Sequence, residues 1–247
     1  MVGCLPALLV YHLRRHVEEP PVAVAARAAA KQAAAEGVGG RSGGGLSLGR
    51  IFAPDLLCVT VLASLLSMGA QGGYYAITTW PPQFLRVERG LTVFNSTGYL
   101  AVLILGSFAG YLTGAWLADR IGRRPLFMLF SAGALALVLA YTQLPITNAA
   151  MLVLGFPLGF FASGYFSGMG PFLTELYPTA ARGSGQGFCY NFGRGMGALF
   201  PALVGYLSQT VPLANAMALF AAAAYGLFFL AALALPETRG RVLAADA

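Results

Sequence analysis

"LADRIGRRPLF", Leu117–Phe127, places Asp119, Arg120, Arg123 and Arg124 within six residues, between two long apolar runs. The rest of the chain is sparing with charge. It holds 15 Lys and Arg and 9 Asp and Glu among 247 residues, and is 57% hydrophobic. Soluble domains carry roughly 25% charged residues, whereas this chain carries 10%. That is too little polar surface for a soluble protein of this size, so the composition implies a membrane protein. Its 32 glycines suit helices that pack closely in lipid.

The same scarcity excludes other classes. Cys4, Cys58 and Cys189 form no CxxC pair and lie in apolar surroundings, so neither a disulfide framework nor a metal site is expected. His12 and His16 both precede the apolar runs. An intramembrane serine protease needs a GxSG nucleophile and a histidine within the membrane; Gly40-Arg41-Ser42-Gly43 lies in the linker, and neither histidine lies within the six apolar runs. An ATP-driven pump needs a GxxxxGK[ST] loop, which is absent. No enzyme, catalytic residue, metal or cofactor is expected. No apolar run ends in a small-residue cleavage site, so a secretory signal peptide is not expected either.

A membrane-spanning helix needs about 20 largely apolar residues. Six runs qualify, at 55–80, 96–118, 124–143, 147–174, 184–208 and 212–235. Residues 1–13 are too short to span and read as the end of a truncated helix. Residues 14–50 form a linker, opening with "RRHVEEPP", turning Ala-rich, and ending in the flexible "GVGGRSGGG". The expected fold is all-α: a polytopic bundle of six transmembrane helices over 51–238, the truncated helix before it, and a tail at 239–247.

Orientation follows from Lys and Arg. With the 14–50 loop and the C-terminus in the cytoplasm, twelve basic residues lie inside and only Arg86 and Arg89 outside, a strong positive-inside bias. The basic pI therefore reflects membrane sidedness, not nucleic-acid binding. Glycines also recur four apart: Gly106/Gly110/Gly114, Gly155/Gly159, Gly164/Gly168 and Gly193/Gly197. Such spacing lets helix backbones approach closely, either as static packing or as a bundle that rocks.

Positive-inside topology does not explain Asp119. A carboxylate at a helix end needs donors, and the arginines beside it or a neighbouring helix N-terminus supply them. Here a resemblance emerges. "ADRIGRRPL" resembles the D-R-x-G-R-R signature loop of the major facilitator superfamily, between the second and third helices of each six-helix half. "ELYPTAARGSGQG", Glu175–Gly187, resembles the junction between that family's tenth and eleventh helices. "PETRG", Pro236–Gly240, resembles the motif after the twelfth, and "VEEPP" the segment after the sixth. One position departs: Ala115 stands where the family usually has Gly, with Gly114 one place early.

The resemblance implies the C-terminal six-helix half of a secondary transporter in the plasma (inner) membrane, working by alternating access. It implies a partner: a missing N-terminal half, in the same chain or another. It also implies that Asp119, Arg120, Arg123, Arg124, Glu175, Arg182, Glu237 and Arg239 form a cytoplasmic gate of ion pairs. Exposed pairs contribute only about 0–1 kcal/mol each, so several together bias an equilibrium without locking it.

Arg194 is the most informative single residue. It lies about 16 Å into the bilayer, counted from Gly183 at 1.5 Å per residue, close to the midplane. An arginine there costs roughly 2.5–3.5 kcal/mol on insertion scales. It serves either an anionic substrate or a pairing with the missing half. Gln186, Tyr190 and Asn191 share its face. In the first span, Gln71, Tyr74, Tyr75, Thr78 and Thr79 make a polar-aromatic stripe, Gly72-Gly73 weaken the helix, and Pro81-Pro82 end or kink it. The substrate-binding candidates are Arg194, Asn191, Tyr190, Gln71, Tyr74, Tyr75 and Thr78. Ser163, Tyr165 and Ser167 are weaker ones.

"GQGFCYNFGR" resembles proton symporters of organic acids, and "PETRG" leans towards sugar porters. An embedded arginine favours a carboxylate. The expected substrate is a small organic acid moved with protons, with a sugar, or an inactive or regulatory half, as alternatives. No carboxylate lies at mid-depth, which places a proton-carrying group in the absent half.

Overall fold

The computed structural model describes residues 48–88, 90 and 93–240. The truncated helix expected at 1–13, most of the 14–50 linker and the end of the tail lie outside them. Ten helices run through the described residues, and no strand occurs among them. They are α1 (Leu48–Ile51), α2 (Pro54–Thr79), α3 (Pro81–Val87), α4 (Val93–Ile121), α5 (Arg123–Gln143), α6 (Asn148–Gly164), α7 (Phe166–Glu175), α8 (Arg182–Gly197), α9 (Leu199–Leu207) and α10 (Leu213–Ala234). Among the described residues, five stretches are long and apolar enough to cross a membrane: Pro54–Val87, Thr97–Ile121, Arg123–Gln143, Asn148–Glu175 and Leu213–Ala234.

The expected span at 184–208 differs. It is divided at Ala198 into α8 and α9, and its first half is rich in glycine and polar residues. Pro201 gives a physical reason for the division. It has no N–H to offer the Gly197 carbonyl, so one helical hydrogen bond is missing there. The last residues of the expected linker, from Leu48, belong to the single turn of α1.

Two other helices are broken. Pro81 and Pro82 separate α2 from α3 at Trp80, and the Trp80 indole N–H donates to the Pro201 carbonyl (3.1 Å), joining two of the breaks. Between α6 and α7, the Ser167 hydroxyl donates to the Gly164 carbonyl (2.6 Å). The Gly168 N–H then turns to Tyr165 instead (3.2 Å). A serine hydroxyl competing with the backbone in this way interrupts the helical ladder.

The packing has an internal two-part symmetry. α4 packs along α6, and α2 packs along α8, while α5 and α10 pack on each other. Exchanging the first three spans with the last three maps one pair onto the other, as inverted repeats require. Glycines set the closeness. A β-carbon at Gly106 would fall onto the Phe156 carbonyl, one at Gly110 onto that of Phe160, and one at Gly159 onto that of Leu103. Gly193 and Gly197 of α8 meet Ser67 and Gln71 of α2 in the same manner.

Candidate functional site

Four helical segments converge on a cleft of about 270 Å³. α2 contributes Gln71, Tyr74 and Tyr75, α4 Tyr111, α7 Phe166, and α8 Tyr190 and Arg194. Five of the seven substrate-binding candidates therefore share one cavity. Their spacing explains it: Gln71, Tyr74 and Tyr75 lie three to four apart on α2, and so do Tyr190 and Arg194 on α8, so each set occupies one helix face.

The wall is aromatic. Tyr74 meets Phe166 edge-to-face at 5.3 Å between centroids. Tyr111 lies nearly parallel to Phe166, at 15° and 6.5 Å. Arg194 is exposed and makes no ion pair among the described residues. Gln71 is 3% exposed, and its Nε2 is buried without a hydrogen-bond partner. Arg194 and Gln71 thus line one aromatic-walled cleft. A second hollow, of about 210 Å³ between Phe52, Val61, Leu65, Phe188 and Phe192, has no charged residue in its wall.

The other two candidates are occupied locally. The Asn191 amide donates to the Gly187 carbonyl (2.8 Å), and the Thr78 hydroxyl to the Tyr74 carbonyl (2.9 Å). Of the weaker candidates, Ser163 bonds Ser107 (2.9 Å), and Tyr165 is fully buried with its hydroxyl on the Ala70 carbonyl (2.8 Å). Tyr111 and Phe166 were not anticipated. On apolar helices a single aromatic looks like core or lipid-facing surface, and only the approach of α4 to α7 distinguishes them.

The charged residues gather where α5 begins and α10 ends. Arg123 is the hub: its guanidinium donates to Asp119 (2.9 Å), to the Ala118 carbonyl (2.9 Å) and to Glu175 (3.3 Å). Thr238 donates to the other Glu175 oxygen. Glu237 has a different role from the expected ion pair. Its carboxylate accepts the backbone N–H groups of Arg123 (3.0 Å) and Arg124 (2.9 Å), the first residues of α5, and those of Thr238 and Arg239 (both 2.9 Å). It is an N-terminal cap supplied from more than a hundred residues away, where helix amides lack partners and the dipole favours an anion. Gly122 makes room for it. Its φ is +103°, which favours glycine, and a β-carbon there would lie 2.6 Å from Glu237 Oε2. Arg124 donates to the Leu233 carbonyl, and Arg120 lies over the Trp116 ring at 5.1 Å. The Arg182 Nε is buried without a partner, and Arg239 joins through its backbone.

Glu237 feels opposing forces. Burial raises its pKa, but the N–H groups of Arg239, Arg123, Arg124 and Thr238 together hold it below its usual 4.5. A carboxylate lowered in the fold contributes stability above its unfolded pKa. That stability is lost as pH falls through the folded value. The melting temperature of the purified chain is therefore expected to fall as pH drops below about 4.5, and Glu237→Gln to flatten that part of the curve.

The opposite end of α10 repeats the device. Glu88 Oε1 accepts the Ala214 N–H (3.0 Å) in the first turn of α10.

Residues 65–245 match the Major Facilitator Superfamily. The chain belongs to that family. With five apolar spans, it is an integral membrane protein. It is 37% identical over 238 residues to a probable 4-methylmuconolactone transporter of Cupriavidus pinatubonensis, covering 96% of this chain and 53% of that one. It is 34% identical over 244 residues to a putative metabolite transport protein of Haemophilus influenzae, covering 98% and 58%. A cis,cis-muconate transport protein of Acinetobacter baylyi is 28% identical over 152 residues, covering 60% and 36%. The chain thus spans just over half the length of the first two relatives. In this member of the superfamily the loop between α4 and α5 is held by a cap, Glu237 on the α5 amides, as well as by the Arg123 ion pairs.

Proposed function

We propose that this chain is half of a secondary transporter that moves a small organic acid by alternating access. The observation that supports it is the cleft: Arg194, which makes no ion pair among the described residues, lines the same aromatic-walled space as Gln71. Paired guanidinium–carboxylate hydrogen bonds are among the strong ones, and an arginine deep in a bundle marks a ligand or ion pathway. The names of the relatives, a muconolactone and a muconate carrier, agree with an acid. The other half closes the cleft, and protons drive the cycle. No carboxylate lines the cleft among the described residues, so the group that carries the proton belongs to that other half.

The test is binding of radiolabelled cis,cis-muconate to the purified chain in lipid nanodiscs, with glucose as competitor. Saturable binding that glucose does not displace supports the acid reading. Displacement by glucose favours a sugar porter, and no binding of either supports an inactive half. Proton coupling is tested in vesicles that hold the chain with its other half: an inward proton gradient accelerates uptake, and its collapse abolishes the acceleration. The sidedness is cytoplasmic for the 14–50 loop and the C-terminus. Arg120→Cys is expected to react with an impermeant maleimide only in opened cells, and labelling in intact cells overturns the orientation.

A further inference from the structure

We propose that Ser167 is a positioning residue for the ligand: its hydroxyl holds open the break between α6 and α7, and the break sets Phe166 in the wall of the cleft. The inference rests on the acid reading above and adds to it how the aromatic wall is built.

In an unbroken helix the Gly164 carbonyl would accept the Gly168 N–H. Here it accepts the Ser167 hydroxyl (2.6 Å), and the Gly168 N–H bonds the Tyr165 carbonyl (3.2 Å). A second rung is missing just beyond. Pro171 lies inside α7 and has no N–H to offer the Ser167 carbonyl. The backbone can therefore bend at this point, and the serine hydroxyl decides which carbonyl is taken. Such back-bonding is a known cause of bent helices.

α4 closes on the break from the side. A β-carbon at Gly114 would fall onto the Gly164 carbonyl and lie 2.8 Å from Ser167 Oγ. Tyr111 is three residues earlier, on the same face of α4, and its ring lies nearly parallel to that of Phe166. The hydroxyl and the neighbouring ring thus sit on successive turns of one helix. The residue before them is fixed elsewhere. Tyr165 is fully buried and donates its hydroxyl to the Ala70 carbonyl of α2 (2.8 Å). Phe166 instead lines the cleft and meets Tyr74 edge-to-face at 5.3 Å. The turn at Tyr165 separates a core residue from a cleft residue one position on.

Ser167 itself is not in the wall of the cleft, and its hydroxyl is already given to Gly164. It acts through Phe166. Without the hydroxyl the Gly164 carbonyl returns to the Gly168 N–H, α6 runs on into α7, and Phe166 turns away from Tyr74 and Tyr111. The ligand then loses part of the surface it packs against.

The experiment is binding of radiolabelled cis,cis-muconate to the chain in nanodiscs. Ser167→Ala is expected to bind about three- to tenfold more weakly than wild type, the scale of one hydrogen bond. Ser167→Cys, close in size but a weak donor, weakens binding likewise. Ser167→Thr keeps a hydroxyl that can reach the same carbonyl and keeps the wild-type affinity. The melting temperature of Ser167→Ala stays level or rises, since back-bonding slightly destabilises a helix. In a Phe166→Leu background Ser167→Ala has no further effect, because residues that act as a unit are not additive. Full affinity in both Ser167→Ala and Ser167→Cys overturns the inference and leaves the acid reading standing. So does a Ser167→Thr as weak as Ser167→Ala, a melting temperature that falls with the affinity, or an undiminished loss in the Phe166→Leu background. Absence of muconate binding by the wild-type chain removes both.

Discussion

Gly159→Ala is expected to unfasten α4 from α6, while Gly155→Ala, one turn earlier on the same helix, leaves the protein unchanged. The two glycines form one GxxxG pair, but their surroundings differ. A methyl added at Gly159 would land on the Leu103 carbonyl of α4, with the Ser107 N–H 3.0 Å away. Both are backbone atoms that cannot rotate aside. At Gly155 the nearest atoms are a Val102 methyl at 3.7 Å and the Tyr99 carbonyl at 3.8 Å, which is ordinary contact. Forcing two helices apart is overpacking, which costs typically 1–3 kcal/mol. At the upper end, about 3 kcal/mol, it lowers the melting temperature by roughly 6–12 °C for a chain of this size. Thermal unfolding of both variants in detergent checks it. A Gly159→Ala protein as stable as Gly155→Ala would mean that the seam yields by moving as a unit. Close carbonyl-to-glycine approach also brings Cα–H groups onto the facing carbonyls, a weak attraction recurrent at helix interfaces, and the alanine forfeits it.

The same pair shows what the sequence discloses. Apolar length revealed five spans, because lipid tolerates few charges and the runs are long. Prolines revealed the break at Trp80, because a missing N–H is a local property. Glycine spacing revealed that helices approach, but not which glycine of a pair touches its neighbour, because that depends on where a second helix lies. The break at Tyr165 escaped notice for a related reason: it arises from which carbonyl the Ser167 hydroxyl chooses. Glu237 is the clearest case. By charge it belongs with the arginines of the expected ion-pair gate. It reaches instead across the fold to the open amides of α5, and a helix N-terminus and a carboxylate over a hundred residues apart cannot be paired from one sequence. Five cleft residues were legible because polar side chains in lipid are rare enough to stand out. Tyr111 and Phe166 were not, since an aromatic in a membrane helix is ordinary until a cation faces it.

Arg194→Leu is expected to weaken acid binding by roughly 10- to 150-fold without weakening the fold. The two effects separate the readings of this residue. If Arg194 anchors the substrate, its loss removes hydrogen bonds to a charged group, worth about 1.5–3 kcal/mol, and affinity falls roughly 10- to 150-fold. Arg194→Lys keeps the charge but loses the planar fork that grips both oxygens, so its affinity lies between. Stability moves the other way. Arg194 has no ion pair among the described residues, and at the depth expected from the sequence a guanidinium is itself unfavourable by roughly 2.5–3.5 kcal/mol on insertion scales. Leucine relieves that cost, so the melting temperature of the variant stays level or rises. A structural role predicts the reverse. An arginine that binds the other half through a buried pair leaves an uncompensated charge behind when removed, a loss of about 3–5 kcal/mol, and association of the halves fails before substrate is considered. Binding isotherms and melting curves of Arg194→Leu and Arg194→Lys, measured with and without the other half, therefore decide the matter together. Lost affinity with preserved assembly assigns the residue to the cargo, and preserved affinity with lost assembly assigns it to the seam.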